Sequence, residues 1–189
     1  MKIIKSRIFK ILVSLFIIGF FLGIISNIIL DDNNTIINYF SLIENNNFNH
    51  FSSLISSITS NYKYAIILWT SGIIFFLSFI VPILIIFRGI SVGFTIFSII
   101  CSFKIKGVLY SLILLFPSII INEFIFILLG YYACNFSIKC FNAIKNNKLI
   151  NIKSFTKNYF IIFIFCLVLL LISSLIEIYI TSNILKFVI

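Results

Sequence analysis

What most restricts this chain is a series of long apolar blocks: residues 11–30, 65–87, 89–103, 108–131 and 159–181. Most are near the roughly 20 residues that a helix needs to cross a bilayer. The apolar residues come in blocks rather than alternating with polar ones, which points to lipid as the main solvent. The expected fold is therefore all-α: a polytopic membrane helical bundle of about five transmembrane helices, forming a single membrane domain over 1–189. Composition agrees. Hydrophobic residues make up 61% and charged residues 10% of the chain, with a mean hydropathy of +1.22, whereas a soluble domain is about half apolar.

Lys2, Lys5, Arg7 and Lys10 precede the first block. The block is too long for the core of a signal peptide and lacks a small-residue cleavage site, so it reads as a retained span. The outer loop 31–62 contains Asp31, Asp32 and Glu44 but no Lys or Arg. Within it Phe51, Leu54, Ile55 and Ile58 fall at i, i+3, i+4 and i+7, one face of a helix. A short helix on the outer membrane surface, or against the bundle, is expected there, and its apolar face is the candidate partner surface.

Arg88 ends the second block. The third covers only about 22 Å at 1.5 Å per residue, short of a bilayer core of about 30 Å. It is rich in small residues, among them Gly89, Ser91, Gly93 and Ser98. It is expected to pack inside the bundle, either crossing with bilayer thinning or as a re-entrant segment. Gly19 with Gly23, and Gly89 with Gly93, form two GxxxG pairs whose spacing favours close helix approach within the chain.

Basic residues set the orientation. The N-terminal cluster and the loop 139–158, with Lys139, Lys145, Lys148, Lys153 and Lys157, are the strongest concentrations. The positive-inside rule puts both in the cytoplasm, with four crossings between them and the N-terminus inside. The expected location is a bacterial inner membrane, with Lys104 and Lys106 outside against the rule. The net charge of +9 is then loop charge. A nucleic-acid partner would need a basic patch on a soluble element, and none is seen.

Glu123 is the most informative ionisable residue, because a carboxylate inside a span is costly and is by default a functional candidate. It lies about 6 Å from the middle of the fourth block. It is expected to be protonated, paired with a cation such as Arg88 near the cytoplasmic side, or holding helices together by a hydrogen bond. Pro117 should kink the fourth helix, with Ser118 and Asn122 meeting the freed backbone groups. Glu177, near the outer end of the fifth block, reads as an interfacial acid. The sequence has no nucleophile elbow, zinc-protease motif or phosphate loop. His50 reads as a solvated loop histidine. Cys101, Cys134, Cys140 and Cys166 have neither metal-ligand spacing nor a disulfide framework. No enzyme and no cofactor is expected.

From Asn61 onward the chain resembles the stage II sporulation protein M family of integral membrane proteins. The likeness is carried by N-Y-K-Y-A at Asn61–Ala65, W-T-S-G-I at Trp69–Ile73 with Gly72, and F-R-G-I-S-V-G-F-T at Phe87–Thr95. It continues with Lys106-Gly107 leading to a span with Pro117, and with S-L-I-E-I-Y-I-T at Ser174–Thr181. The chain departs from the family pattern at Ser118, where many members have His or Gln. It departs again at Asn122, where the wider family often has a glutamate, and it lacks the proline that often follows the closing Ile-Glu. The resemblance implies a membrane scaffold of sporulation engulfment rather than an enzyme. Its implied partners are membrane lipids and the peptidoglycan hydrolases of the stage II sporulation protein D and P type. A rival reading, from the small-residue third block, Pro117 and Glu123, is a small transporter or permease subunit with a polar site around Glu123.

Overall fold

Ile and Phe are indifferent helix formers in water. In hydrocarbon the ranking matters little, because every backbone N–H and C=O must find its partner within the segment. The computed structural model of the protein describes residues 6–30, 50–111, 116–145 and 152–188, and among them every regular element is helical. In chain order these are α1 (Arg7–Leu30), α2 (His50–Ile73), a 3₁₀ turn (Phe75–Phe79), α3 (Ile80–Tyr110), α4 (Phe116–Lys145) and α5 (Ile152–Val188). Among the described residues four segments are long and apolar enough to cross a membrane: Arg7–Leu30, Ile80–Ile105, Ser118–Ala143 and Thr156–Glu177. α2 is 24 residues long, but its first half is rich in Ser and it carries Asn61 and Lys63.

Pairwise contacts fix the helix directions. Ser57 meets Glu177, Tyr62 meets Leu167 and Trp69 meets Tyr159, so α2 and α5 run antiparallel. The Tyr64 ring lies 6.4 Å from that of Phe126, and Gly72 backs onto Ala133, so α2 and α4 run parallel. Arg88 meets Glu123 and Val81 meets Gly130, so α3 and α4 are antiparallel. Gly19 lies against Ile86 and Gly23 against Ile90, so α1 and α3 are parallel. One end of the bundle therefore gathers the start of α1, the 3₁₀ turn, the end of α4 and the start of α5. This basic end holds Arg7, Lys10, Lys139 and Lys157. The far end gathers the end of α1, the starts of α2 and α4, and Lys104.

The all-α bundle is as expected, but its segments divide elsewhere. The expected span 65–87 is broken at Ile74, which is extended (φ −89°, ψ 95°). A five-residue 3₁₀ turn, apolar but for Ser78, follows, and a new helix begins at Ile80. Pro82 lies in the first turn of that helix, where its missing N–H costs nothing. The block 89–103 is not a short separate segment. It continues this helix, whose spanning part is 26 residues long.

At the far end Lys104 has φ 52° and ψ −125°, a conformation side chains avoid, and the chain breaks there. A Cβ on Gly107 would run into the Ile99 carbonyl and come within 2.9 Å of the Ile100 Cα. In an unbroken helix residues eight apart are about 12 Å apart, so the chain folds back on itself beyond Lys104. The fourth helix accordingly starts at Phe116 rather than 108. Pro117 sits in its first turn, where it produces no kink. The expected surface helix at Phe51–Ile58 is instead the N-terminal part of α2. Leu54 and Ile58 are half-buried there, and Ile55 is exposed. The remainder of the outer loop, 31–49, lies outside the described residues.

Two packing units hold the helices. The first is the α1–α3 seam, where both GxxxG pairs face each other. A Cβ on Gly19 or Gly23 would strike the carbonyl of Ile86 or Ile90, and one on Gly89 or Gly93 the carbonyl of Phe16 or Phe20. Backbone touches backbone, as small-residue seams allow. Asn27 donates to the Ser98 hydroxyl further along the same seam. The second unit is an aromatic stack near the basic end. Trp69 lies 4.7 Å from Phe163 and Tyr159 lies 4.5 Å from Phe136, ring centre to ring centre. The Tyr159 hydroxyl donates to the Trp69 carbonyl at 2.9 Å.

Candidate functional site

Moving the α2–α3 turn from residue 88 to residues 74–79 carries Arg88 from a membrane edge into the bundle. Its guanidinium meets Glu123 of α4, Nη2 to Oε1, at 2.9 Å. The side chains are 15% and 6% exposed. A single charge at this depth would be prohibitive, whereas a contact pair is sustainable when hydrogen bonds and packing accompany it. The same Nη2 also donates to Oδ1 of Asn61, at 3.4 Å. The guanidinium carbon lies 4.3 Å from the centre of the Phe126 ring and 5.1 Å from that of Tyr64. The quadrupoles of those rings favour a cation over their faces. Three helices thus meet at one arginine: α2 through Asn61 and Tyr64, α3 through Arg88 itself, α4 through Glu123 and Phe126.

α2 contributes more here than its sequence announces. Ser57, Asn61 and Tyr64 stand at i, i+4 and i+7 and so share one helix face. Asn61 and Tyr64 meet Arg88, while Ser57 donates to Oε2 of Glu177 on α5 at 3.4 Å. Glu177, the last residue of the span Thr156–Glu177, is half-buried and turned toward α2. It also feels the charge of Arg88, as one helical turn between Ser57 and Asn61 would lead one to expect. These three α2 residues were missed from sequence because Asn61 and Tyr64 lie at the edge of a polar loop. Their signal was the four-and-three spacing of polar groups beside the apolar face of Leu54, Ile55 and Ile58.

The remaining sequence candidates scatter. Glu123 stands five residues into the span Ser118–Ala143, about 11 Å from its middle, because α4 starts later than expected. Asn122 is buried, and its Oδ1 has no partner among the described groups. Gly72 serves the aromatic stack, with no room for a Cβ between Ala133 and the Tyr159 hydroxyl. Gly89 and Gly93 serve the α1–α3 seam, and Gly107 the fold-back beyond Lys104. The structure brings Arg88 and Glu123 together and leaves the glycines in separate structural roles. No group of three or more His, Cys, Asp or Glu side chains suited to a metal ion occurs among the described residues.

Beside the arginine, between α2 and α3, a cleft of about 430 Å³ opens sideways. Tyr64, Leu84, Phe87, Ser91 and Thr95 line it, and Tyr64 separates it from the guanidinium.

No curated protein and no solved structure matches the chain. A sequence model described as "Stage II sporulation protein M" matches residues 12–182, all but the outermost residues. That stretch includes the buried arginine and its partners on α2 and α4, both GxxxG pairs and Glu177, and the chain belongs to the stage II sporulation protein M family.

Proposed function

We propose that this protein is a non-enzymatic membrane scaffold of the bacterial cell membrane. On this reading it acts in sporulation engulfment by positioning peptidoglycan hydrolases of the stage II sporulation protein D and P type. Membership of the family across residues 12–182 carries the proposal. The geometry supports it in a second way. The most polar point of the interior is engaged in joining α2, α3 and α4, an architectural task. In this reading the basic end of the bundle faces the cytoplasm, as the positive-inside rule requires. α2 is then a fifth crossing, and its N-terminal part faces the outer side. That outer surface, with Ile55 exposed on it, is where the hydrolases dock.

Affinity capture of the tagged protein from engulfing cells tests this. The hydrolases should be recovered with the wild type, and in smaller amount with Ile55→Lys. Consistent absence of both hydrolases from the wild-type capture would overturn the scaffold reading, as would normal engulfment in cells lacking the protein. The transporter reading gains nothing from the structure, since the Oε1 side of Glu123 is committed to Arg88.

A further inference from the structure

The buried polar side chains of the bundle are not evenly distributed about the Arg88–Glu123 pair. On the far-end side, Ser118 and Asn122 of α4 and Ser173 and Ser174 of α5 are all buried, and Glu177 follows on α5. Ser173 donates to the Ser118 carbonyl at 3.4 Å, so the two helices present these groups to each other. On the basic-end side the next turn or two of each surrounding helix is apolar. Ala65 and Leu68 of α2, Val81 and Ile85 of α3, and Phe126 and Leu129 of α4 are each at most 1% exposed. Among the described residues the pair thus has buried polar side chains on its far-end side and apolar packing on its basic-end side.

Glu123 has one oxygen engaged and one not. Oε1 accepts from Arg88, while Oε2 is buried with no hydrogen-bond partner among the described groups. A carboxylate oxygen held away from water without a donor is unfavourable, and a proton lessens the cost by removing the charge. From this we propose that Glu123 is a proton-binding site, loaded at Oε2 through the polar interior between α4 and α5 and so from the far end of the bundle alone. The balance is simple: a carboxylate and a proton give a carboxylic acid, and the Oε1–Arg88 contact remains in place. The other charged or titratable groups around the pair are Tyr64 from α2 and Glu177 from α5. α1 presents Arg7 and Lys10 at the opposite end, Lys63 lies on the exposed side of α2, and Glu123 is the acid that α4 itself presents. Loading removes the negative charge that α4 presents to Arg88. This proposal does not depend on the scaffold role.

The test is infrared titration of the full chain in sealed vesicles, with ¹³C-labelled glutamate and Glu44→Gln to remove the third glutamate. Orientation is fixed by labelling a cysteine placed at Lys104 in a chain with its own cysteines replaced. A protonated-carboxyl band should appear as the pH is lowered. It should follow the pH of the compartment that Lys104 faces, vanish in Glu123→Gln and persist in Glu177→Gln. Absence of any such band in the wild type would overturn the proposal. So would a band that follows the other compartment, or one abolished by Glu177→Gln. Because the wild type and Glu177→Gln decide these points, the proposal remains testable even if Glu123→Gln fails to fold.

Discussion

The α1–α3 seam makes the sharpest mechanical prediction. A Cβ on Gly19 would strike the Ile86 carbonyl, and one on Gly89 would come within 2.9 Å of the Phe20 nitrogen and 3.1 Å of the Gly19 carbonyl carbon. These obstacles are backbone, so no side-chain rotation relieves them and the helices must move apart. Overpacking of this kind costs about 1–3 kcal/mol. Separation also stretches the Asn27–Ser98 bond, and such interhelical bonds in membranes average about 0.6 kcal/mol. Gly19→Ala and Gly89→Ala are each expected to destabilise by about 2 kcal/mol in reversible unfolding in mixed micelles. The two glycines address the same crossing, so the gap opened by one alanine accommodates the other. The double variant should therefore cost less than the sum, with a coupling of about 1 kcal/mol, in the range seen for residues in contact. Strictly additive costs would refute the shared crossing. Unchanged unfolding accompanied by lost self-association would refute the reasoning more deeply, since it would assign the GxxxG pairs to contacts between copies.

Three other outcomes follow from the geometry. Arg88→Ala or Glu123→Ala alone should cost about 3 kcal/mol by stranding a buried charge, whereas Arg88→Met with Glu123→Leu should unfold close to the wild type; a double variant as unstable as the summed singles would argue against a neutralised pair. Gly72→Val should push Tyr159 off the Trp69 carbonyl and loosen the stack on Phe163, shifting the emission of the chain's single tryptophan to the red; unchanged emission would count against that packing. Lys104→Gly should stabilise by about 1 kcal/mol, because glycine adopts φ 52° without the strain a side chain brings; loss of stability on that change would show that Lys104 is not strained.

Different parts of the fold were legible to different degrees, and for different physical reasons. The first span was legible because hydrophobic length is a one-dimensional property, and Arg7–Leu30 matches the block 11–30 closely. The structure gathers Arg7, Lys10, Lys139 and Lys157 at one end of the bundle, the grouping that the charge pattern suggests. The α1–α3 seam was legible as two spacing motifs. That they face each other was not, since the pairing of residue 19 with residue 86 has no local signature. The α2–α3 turn was illegible. Turns are usually announced by clusters of Gly, Pro, Asn, Asp or Ser, and Phe75–Phe79 contains only Ser78 among these. A turn at a membrane edge can be built from apolar residues, so hydropathy runs straight through it.

Arg88 shows why that one boundary mattered to the whole site. Read locally, a guanidinium after 23 apolar residues marks the end of a span, because a lone charge in hydrocarbon costs several kcal/mol. That inference is sound only if the charge is alone. Glu123, 35 positions later, removes the premise: paired at 2.9 Å and flanked by Phe126, Tyr64 and Asn61, the arginine no longer has to reach water. The helix can then begin eight residues before Arg88 and continue well past it, which turns the apparently short third block into a full-length span. The interior ion pair and the helix boundary are therefore one fact seen at two scales. The same logic applies to Ser57, Asn61 and Tyr64, which a local reading assigns to an outer loop and the pairing assigns to the core. In this bundle the polar residues decide the register of the helices, and the apolar ones decide only that there are helices.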